Sequence, residues 1–302
     1  MKIGLIKVDG HHFPNFALMK ISAHHKAQGD TVEWVNYWDR YDRVYCSKVF
    51  TFTPDILTCI QAEEVINGGT GYKLFDDTLF CDDEIPDYSL FPSYSEAYGY
   101  LTRGCIRKCE WCVVPLKEGN IRPYCDIETV LQGRKRAILM DNNVLACDYG
   151  LEQIEKIIEL KCRVDFNQGL DCRLVTEEVA KMLSKVKWIQ FIRFALDSES
   201  QIEPLLSALE KLNRYGIENR KIFVYTLLID LHDSYRRINI LKDLGVSPFA
   251  QPYIPINLKI DIPQWSLDMS RYTNKKKLLK SIDFKEYKPR RGFQCNEYFK
   301  TQ

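Results

Sequence analysis

The stretch Tyr100-Leu-Thr-Arg-Gly-Cys-Ile-Arg-Lys-Cys-Glu-Trp-Cys112 carries three cysteines in the spacing C-x3-C-x2-C. It continues a strand-like run that begins at Gly99, so one short loop presents all three thiols. Thiolates are the usual protein ligands of iron–sulfur clusters, and four of them normally hold a cubane [4Fe–4S] cluster. Cys105, Cys109 and Cys112 therefore predict a [4Fe–4S] cluster in which one iron is open to a further ligand.

The three cysteines also permit other interpretations. A zinc site normally needs a fourth Cys or His at a matching spacing, but the chain has no second C-x2-C pair and no histidine near this loop. Three unrelated thiols in a hydrophobic core are a second alternative. A fourth cysteine from elsewhere would close the open iron, and Cys125 and Cys147 are the nearest in sequence.

Six strand-like segments follow from Gly99 onward, and most are followed by a segment with helical periodicity. The predicted strands are 99–103, 137–140, 163–166, 188–196, 222–229 and 248–254. The predicted helices are 150–160, 176–185, 202–215 and 234–244. Repeated β–α units of about 30 residues require right-handed crossovers and close readily into a barrel. In such barrels the chemistry collects at the carboxyl ends of the strands.

The region before the cysteine loop predicts a second, smaller unit. Strands are predicted over 3–8, 31–37 and 44–52, and helices over 14–28 and 55–62, followed by the glycine-rich turn Asn67-Gly-Gly-Thr-Gly71. This order predicts a small parallel α/β domain over residues 1–95. Residues 96–260 then form the barrel, and residues 261–302 form a basic, helical C-terminal extension.

The cysteine loop resembles that of the radical S-adenosylmethionine (SAM) enzymes. The cysteine spacing, the aromatic Trp111 before the last cysteine, and the runs Thr102-Arg-Gly-Cys105 and Cys112-Val-Val-Pro-Leu-Lys-Glu-Gly119 carry the resemblance, which covers roughly residues 96 to 285. It is closest in character to the branch with an N-terminal cobalamin-binding-like, Rossmann-like domain. The resemblance implies an α/β fold, with a partial (β/α)6 TIM-type barrel preceded by a small Rossmann-like α/β domain. Residues 1–95 are few for a domain that encloses a corrinoid, so a reduced version is expected, with cobalamin as an optional cofactor.

In this family the open iron binds the amino and carboxylate groups of SAM. An electron from the cluster then cleaves the sulfonium to methionine and a 5'-deoxyadenosyl radical. The resemblance implies this reaction, a low-potential electron donor of the flavodoxin or ferredoxin type, and hydrogen abstraction from an unidentified substrate. Modification of nucleic acid or peptide is the leading hypothesis. A small-molecule radical isomerase or lyase, and a non-catalytic iron–sulfur binding or electron-transfer module, are the alternatives.

Polar residues at the predicted strand ends are the candidates for binding SAM. The resemblance places Trp111 beside the adenine. Asp141, Asn142 and Asn143 end the second strand, where many family members carry Gly-Gly-Glu to hold the methionine amino group. Carboxylate and amide oxygens accept hydrogen bonds from an ammonium, so the role survives the change of motif. Asx residues also commonly do no more than cap a turn.

Two further strand ends carry candidates. Gln168 belongs to a polar group after the third strand that also contains Asp171. Arg193 interrupts an apolar run on the fourth strand, and a charge at such a position needs a partner or a polar cavity. The resemblance assigns Arg193 to the SAM carboxylate or ribose, and an ion pair with Asp171 or Asp197 is the alternative.

Composition sets wider limits. With 302 residues, 45% hydrophobic and 27% charged, the chain is typical of a soluble globular protein. It lacks the roughly 18 consecutive apolar residues of a membrane span, and its N-terminus does not follow a secretory pattern. Eleven cysteines, mostly scattered singly, favour a reducing cytoplasm.

The net charge is +1, but basic residues outnumber acidic ones from Arg271 to the C-terminus. This bias predicts either phosphate contacts to a nucleic acid or a solvated helical face. The residues concerned are Arg271, Lys275, Lys276, Lys277, Arg290 and Arg291.

Overall fold

The computed structural model describes residues 1–11, 13–56, 58–75, 79–255 and 261–300. Its strands are β1 (Lys2–Lys7), β2 (Thr31–Trp34), β3 (Tyr41–Ser47), β4 (Ala62–Gly68), β5 (Ala97–Gly99), β6 (Thr102–Arg103), β7 (Arg122–Pro123), β8 (Arg136–Leu139), β9 (Arg163–Phe166), β10 (Lys187–Trp188), β11 (Ile192–Ala195), β12 (Ile222–Leu228) and β13 (Ser247–Pro252). Its helices are α1 (Phe16–Ala27), α2 (Val114–Lys117), α3 (Ile127–Leu131), α4 (Asp148–Glu159), α5 (Glu177–Leu183), α6 (Ile202–Arg214), α7 (Leu231–Asp243), α8 (Gln264–Thr273) and α9 (Lys276–Ser281).

The first four strands form a parallel sheet in the order β2-β1-β3-β4. Ile3 and Leu5 of β1 pack with Leu18 of α1, because alternate residues of a strand face the same side of the sheet. The helix begins after Asn15, whose Oδ1 accepts the backbone N–H of Leu18 at 3.1 Å. A parallel α/β unit is therefore present in the N-terminal region.

Two predicted elements of this region differ from the structure. The helix predicted over 55–62 is absent from the described residues of that range, and Ala62 instead begins strand β4. The strand predicted over 44–52 ends at Ser47. It stops there because the Asp9 carboxylate accepts the backbone N–H groups of Val49 and Phe50, both at 2.8 Å, and so removes them from the sheet ladder.

The middle of the chain contains two parallel sheets. One has the order β10-β9-β8-β5 and the other has the order β11-β12-β13. A parallel bridge between Leu170 and Phe194 connects the segment after β9 to β11. The strand predicted over 188–196 is divided, because its first part pairs with β9 and its second part with β12. The predicted α/β fold with parallel strands is confirmed.

The helices cover this region on the apolar faces of the strands. Residues of α4 and α6, such as Ile154, Ile157 and Leu209, form one buried cluster with Val164 of β9 and Val224 of β12. Helices α3, α5 and α7 begin with the side-chain caps Asp126, Thr176 and Asp230, each of which accepts a backbone N–H of the first turn. The packed core therefore holds the strands in place, and loops follow their carboxyl ends.

The C-terminal segment packs against β13. Asn274 binds Ala250 in both directions, accepting its N–H at 2.8 Å and donating to its carbonyl at 2.9 Å. Met269, Tyr272 and Phe284 form a small core with neighbouring residues of β12 and β13.

The predicted boundary at residue 260 lies outside the described residues. Among the helices that the structure describes, none is long and apolar enough to cross a membrane.

Candidate cofactor site at the cysteine loop

The loop that holds the cysteines leaves and returns through one short antiparallel pair, β6 with β7. The backbone N–H of Cys105 donates to the carbonyl of Gly119 at 3.2 Å, which closes the neck of the loop. The Glu118 carboxylate accepts the Gly104 N–H at 3.0 Å and the Asn142 side-chain amide at 2.9 Å. These contacts fasten the loop to the end of β8.

Gly104 has a positive φ of 85°, and a Cβ there would overlap the carbonyl oxygen of Asn120. Gly104→Ala is therefore expected to destabilise the protein by about 2 kcal/mol, because left-handed backbone costs about 1–2 kcal/mol for an L-residue before the clash is counted. Urea denaturation and iron content after reconstitution measure the effect. Gly119→Ala is the matched control, since Gly119 also has a positive φ (76°) but open space around its Cβ position. Equal losses in the two variants would show that the close contact is unimportant.

Cys105, Cys109 and Cys112, here called the cysteine triad, are half-buried and have free thiols. Burial raises the pKa of the Cys109 and Cys112 thiols, and the negative charge of Cys105 raises the pKa of both further. One loop thus carries three half-buried thiols, and two of them are harder to ionise than a free cysteine.

Cys105 Sγ accepts two N–H groups. The backbone N–H of Arg107 and the side-chain amide of Asn143 donate to it at 3.3 and 3.5 Å. Donors of this kind stabilise negative charge on sulfur.

In the described ranges, no group of three or more His, Cys, Asp or Glu side chains is arranged to hold a metal ion. A single zinc ion draws all its thiolate ligands to about 2.3 Å from one atom. The sulfurs of a cubane site each ligate a different iron, and they therefore lie farther apart.

The Asp141 carboxylate accepts hydrogen bonds from the backbone at the start of the cysteine loop. Its side chain is 1% exposed, and its carboxylate accepts the N–H of Leu101 at 3.0 Å and the N–H and hydroxyl of Thr102 at 2.6 and 2.8 Å. Burial raises its pKa to about 6, against the effect of these donors. Asp141 thus fixes the start of the cysteine loop.

Asn143 lies closer to the cysteine triad than the other two residues of its motif. It is 2% exposed, and its Nδ2 lies between Cys105 Sγ and the Asp171 carboxylate. Its Oδ1 is buried and has no hydrogen-bond partner among the described residues. An unpaired buried acceptor is costly, so this atom is a natural site for a donor on a bound molecule.

Arg193 pairs with a residue that the sequence did not suggest. Its Nε and Nη2 donate to the two carboxylate oxygens of Asp165 at 2.6 and 2.7 Å, and Nη1 lies 3.3 Å from the Tyr225 hydroxyl. The guanidinium also lies 4.9 Å from the centre of the Phe223 ring. The ion pair is present as expected, but its partner is neither Asp171 nor Asp197.

A cavity of about 250 Å³ opens at the carboxyl ends of β9, β11, β12 and β13. This strand-end cavity is lined by Asn167, Gln168, Ala195, Asp197, Tyr225 and Gln251, among others. Burial raises the pKa of Asp197 in the wall of this cavity. Gln168 is exposed at its rim, and Trp111 is half-buried within the cysteine loop.

The two cysteines nearest to the cysteine triad in sequence lie on other segments of the chain. Cys125 lines a separate cavity with Lys20 and Tyr124, and its thiol lies 3.6 Å from the Asp126 carbonyl oxygen. Cys147 immediately precedes α4.

Comparison with known protein families finds no family that matches the chain. A search of curated proteins finds no relative either.

Proposed function

We propose that this chain is a radical SAM enzyme that binds a [4Fe–4S] cluster through Cys105, Cys109 and Cys112. The cysteine triad carries the proposal, because one loop presents three half-buried thiols in the spacing C-x3-C-x2-C, and Cys105 Sγ accepts N–H groups from Arg107 and Asn143. Hydrogen bonds to the sulfurs are a normal feature of iron–sulfur sites. The unpartnered Oδ1 of Asn143 adds an acceptor beside Cys105 that suits the ammonium of SAM.

We infer that β5, β8, β9, β11, β12 and β13 are the six strands of a partial (β/α)6 barrel. Their parallel pairing in chain order and the Leu170–Phe194 bridge support this arrangement. The β1–β4 sheet is then a small Rossmann-like domain. The cysteine loop follows the first barrel strand, and the strand-end cavity lies where barrel chemistry collects.

The proposed cofactors supply the radical chemistry, since electron transfer from a reduced cluster to SAM yields the 5'-deoxyadenosyl radical. The residues of the chain bind these cofactors and orient them. The cysteine triad leaves one iron open, Asn143 Oδ1 accepts the ammonium, and Trp111 offers an aromatic face to the adenine. Gln168 and its neighbours in the strand-end cavity hold the remaining polar groups and exclude water. We assign Arg193 to the support of Tyr225, because Asp165 already occupies its bidentate face.

The residues at the carboxyl edge of the β1–β4 sheet do not fit a corrinoid. Asp9 ties the loop after β1 to the loop after β3, and Lys117 from the cysteine loop donates to Thr70 Oγ1 at 2.6 Å. A Cβ on Gly69 would overlap the carbonyl oxygen of Lys48. Contacts within the chain therefore occupy this edge, and the proposed reaction does not use cobalamin.

Anaerobic reconstitution tests the proposal. The wild-type chain is loaded with iron and sulfide, reduced with dithionite as a substitute for a flavodoxin- or ferredoxin-type donor, and supplied with SAM. The expected results are a SAM-dependent change in the electron paramagnetic resonance (EPR) spectrum of the cluster and the formation of 5'-deoxyadenosine. A coordinatively saturated cluster that binds no SAM would instead support an electron-transfer module.

We further propose a cytoplasmic location, because all eleven cysteines are described and all are free thiols.

We propose nucleic acid as the substrate class on the basis of one surface. Lys275, Lys276, Lys277 and Lys280 are exposed around α9, and none of the described carboxylates forms an ion pair with them. Arg271 and Arg290 are less available, since both lie within ion-pair distance of Asp268. Unpaired lysines on one short helix suit phosphate groups.

Charge reversal at Lys275, Lys276 and Lys277 is expected to weaken RNA or DNA binding at least tenfold at low salt. The slope of log K against log salt is expected to fall by about 0.9 for each lost phosphate contact on duplex DNA. Fluorescence anisotropy with labelled oligonucleotides measures both. The matched control reverses Lys181, Lys185 and Lys187, which are exposed on another face. Equal effects of the two triple variants, or no binding by the wild type, would argue against the assignment.

A further inference from the structure

Asp171 joins three separate segments around the cysteine triad. Its side chain is 6% exposed and accepts the Arg107 Nε at 2.8 Å, the Arg173 Nε at 2.6 Å and the Asn143 Nδ2 at 3.3 Å. Burial favours a higher pKa for Asp171, but the hydrogen bonds from the two arginines outweigh it and leave the pKa below its ordinary value. Asp171 is thus an anion that accepts hydrogen bonds from three residues.

The orientation of the Asn143 amide follows from its neighbours. Cys105 Sγ and Asp171 Oδ2 are both acceptors, so the NH2 group must face both of them. One N–H then points to the sulfur and the other to the carboxylate. Without the carboxylate, nothing in the described surroundings would prevent the amide from turning its oxygen toward the sulfur.

We propose that Asp171 is a positioning residue that aims the Asn143 amide at the Cys105 sulfur, and that this N–H···S hydrogen bond makes the cluster easier to reduce. The inference rests on the proposed function, because it concerns the same cluster. A reduced cluster carries one more electron, part of whose charge lies on the ligating sulfurs. A donor to a sulfur therefore stabilises the reduced form and raises the reduction potential.

A double-mutant cycle on the cluster-loaded protein tests this inference. The midpoint potential is measured by EPR-monitored titration without SAM, after iron and sulfide analysis has shown equal loading. Asn143→Ala is expected to shift the potential to a more negative value, since it removes the donor without changing the charge. In an Asp171→Asn background the same substitution is expected to give less than half that shift, because Arg107 and Arg173 compete for the one remaining side-chain oxygen and the Asn143 amide is held less firmly.

The cycle separates positioning from charge. Asp171→Asn also removes a negative charge, so only the difference caused by Asn143→Ala within each background is compared. Asp87→Asn supplies the control background, because Asp87 is a partly buried carboxylate that accepts from Lys26, Ser22 and Ser89 in the N-terminal region. In the Asp87→Asn background, Asn143→Ala is expected to shift the midpoint potential by as much as it does in the wild type. Asn143→Ser, whose hydroxyl is too short to replace the amide, repeats the measurement if the alanine variant loads poorly.

The outcomes are distinct. Equal shifts in the wild-type and Asp171→Asn backgrounds would overturn the positioning role, and no shift in either would overturn the hydrogen-bond effect. If the wild type cleaves SAM while its variants keep the wild-type potential, the inference fails and the proposed function stands. If the wild type forms no [4Fe–4S] cluster, both fail together.

Discussion

Replacing Cys109 by alanine is expected to abolish cluster incorporation and, with it, all formation of 5'-deoxyadenosine. Cys109 supplies the middle thiol of the cysteine triad and is half-buried. With two thiolates left, a cubane would have two irons without a protein ligand, and the binding site for SAM would no longer be defined. Iron and sulfide analysis, EPR spectroscopy and mass spectrometry of the reaction mixture measure the loss.

Cys125→Ala is the matched control for this experiment. Cys125 has similar partial burial but lies on the wall of a different cavity, next to Lys20 and Tyr124. The control variant is expected to keep wild-type iron content and product formation. If Cys109→Ala retained the cluster, or if Cys125→Ala lost it, the ligand set would have to be revised toward a site that includes Cys125.

The elements predicted correctly from the sequence are those determined by residues close together in the chain. Residues 163–166 were predicted as a strand and are one, and α6 lies within the predicted 202–215 because its apolar residues recur at helical spacing. The helix predicted over 176–185 contains α5, which begins after Thr176 because that side chain accepts the Val179 N–H. In these cases the deciding contacts lie within one turn or one strand.

The predictions that were wrong depended on partners far away in sequence. The predicted helix over 55–62 is absent from the described residues of that range, and its predicted last residue, Ala62, instead pairs with Tyr41 of β3. The predicted strand over 188–196 is divided between two sheets. No local pattern distinguishes a strand that stays in one sheet from a strand that changes sheet.

The same distinction applies to the site. The cysteine loop was evident from spacing alone, whereas the partners of the polar residues were not. Asp165 was missed as the partner of Arg193, although a carboxylate within the apolar run of β9 was a signal that it needed a cation. Glu118 was missed because its three donors come from Arg103, Gly104 and Asn142, which only the fold brings together.

Asp141→Ala is expected to destabilise the folded protein by about 4 kcal/mol. The substitution leaves the buried N–H groups of Leu101 and Thr102 without an acceptor, and each such group costs about 2 kcal/mol. Urea denaturation of the cluster-free protein should show a lower midpoint with an unchanged slope, since the same surface is exposed on unfolding. The start of the cysteine loop should lose its position too, so cluster incorporation should fall in parallel.

A graded pair of variants separates the hydrogen bonds from the general effect of losing a carboxylate. Asp141→Asn keeps one oxygen that can still accept from Thr102, so its cost is expected to be about half that of the alanine variant. Asp126→Ala removes a more exposed carboxylate that caps α3 and pairs with Lys156, and such a cap contributes about 1 kcal/mol. A cost for Asp141→Ala no greater than that of Asp126→Ala would mean that the carboxylate is free for a bound ligand. That result would favour the predicted SAM-binding role of Asp141.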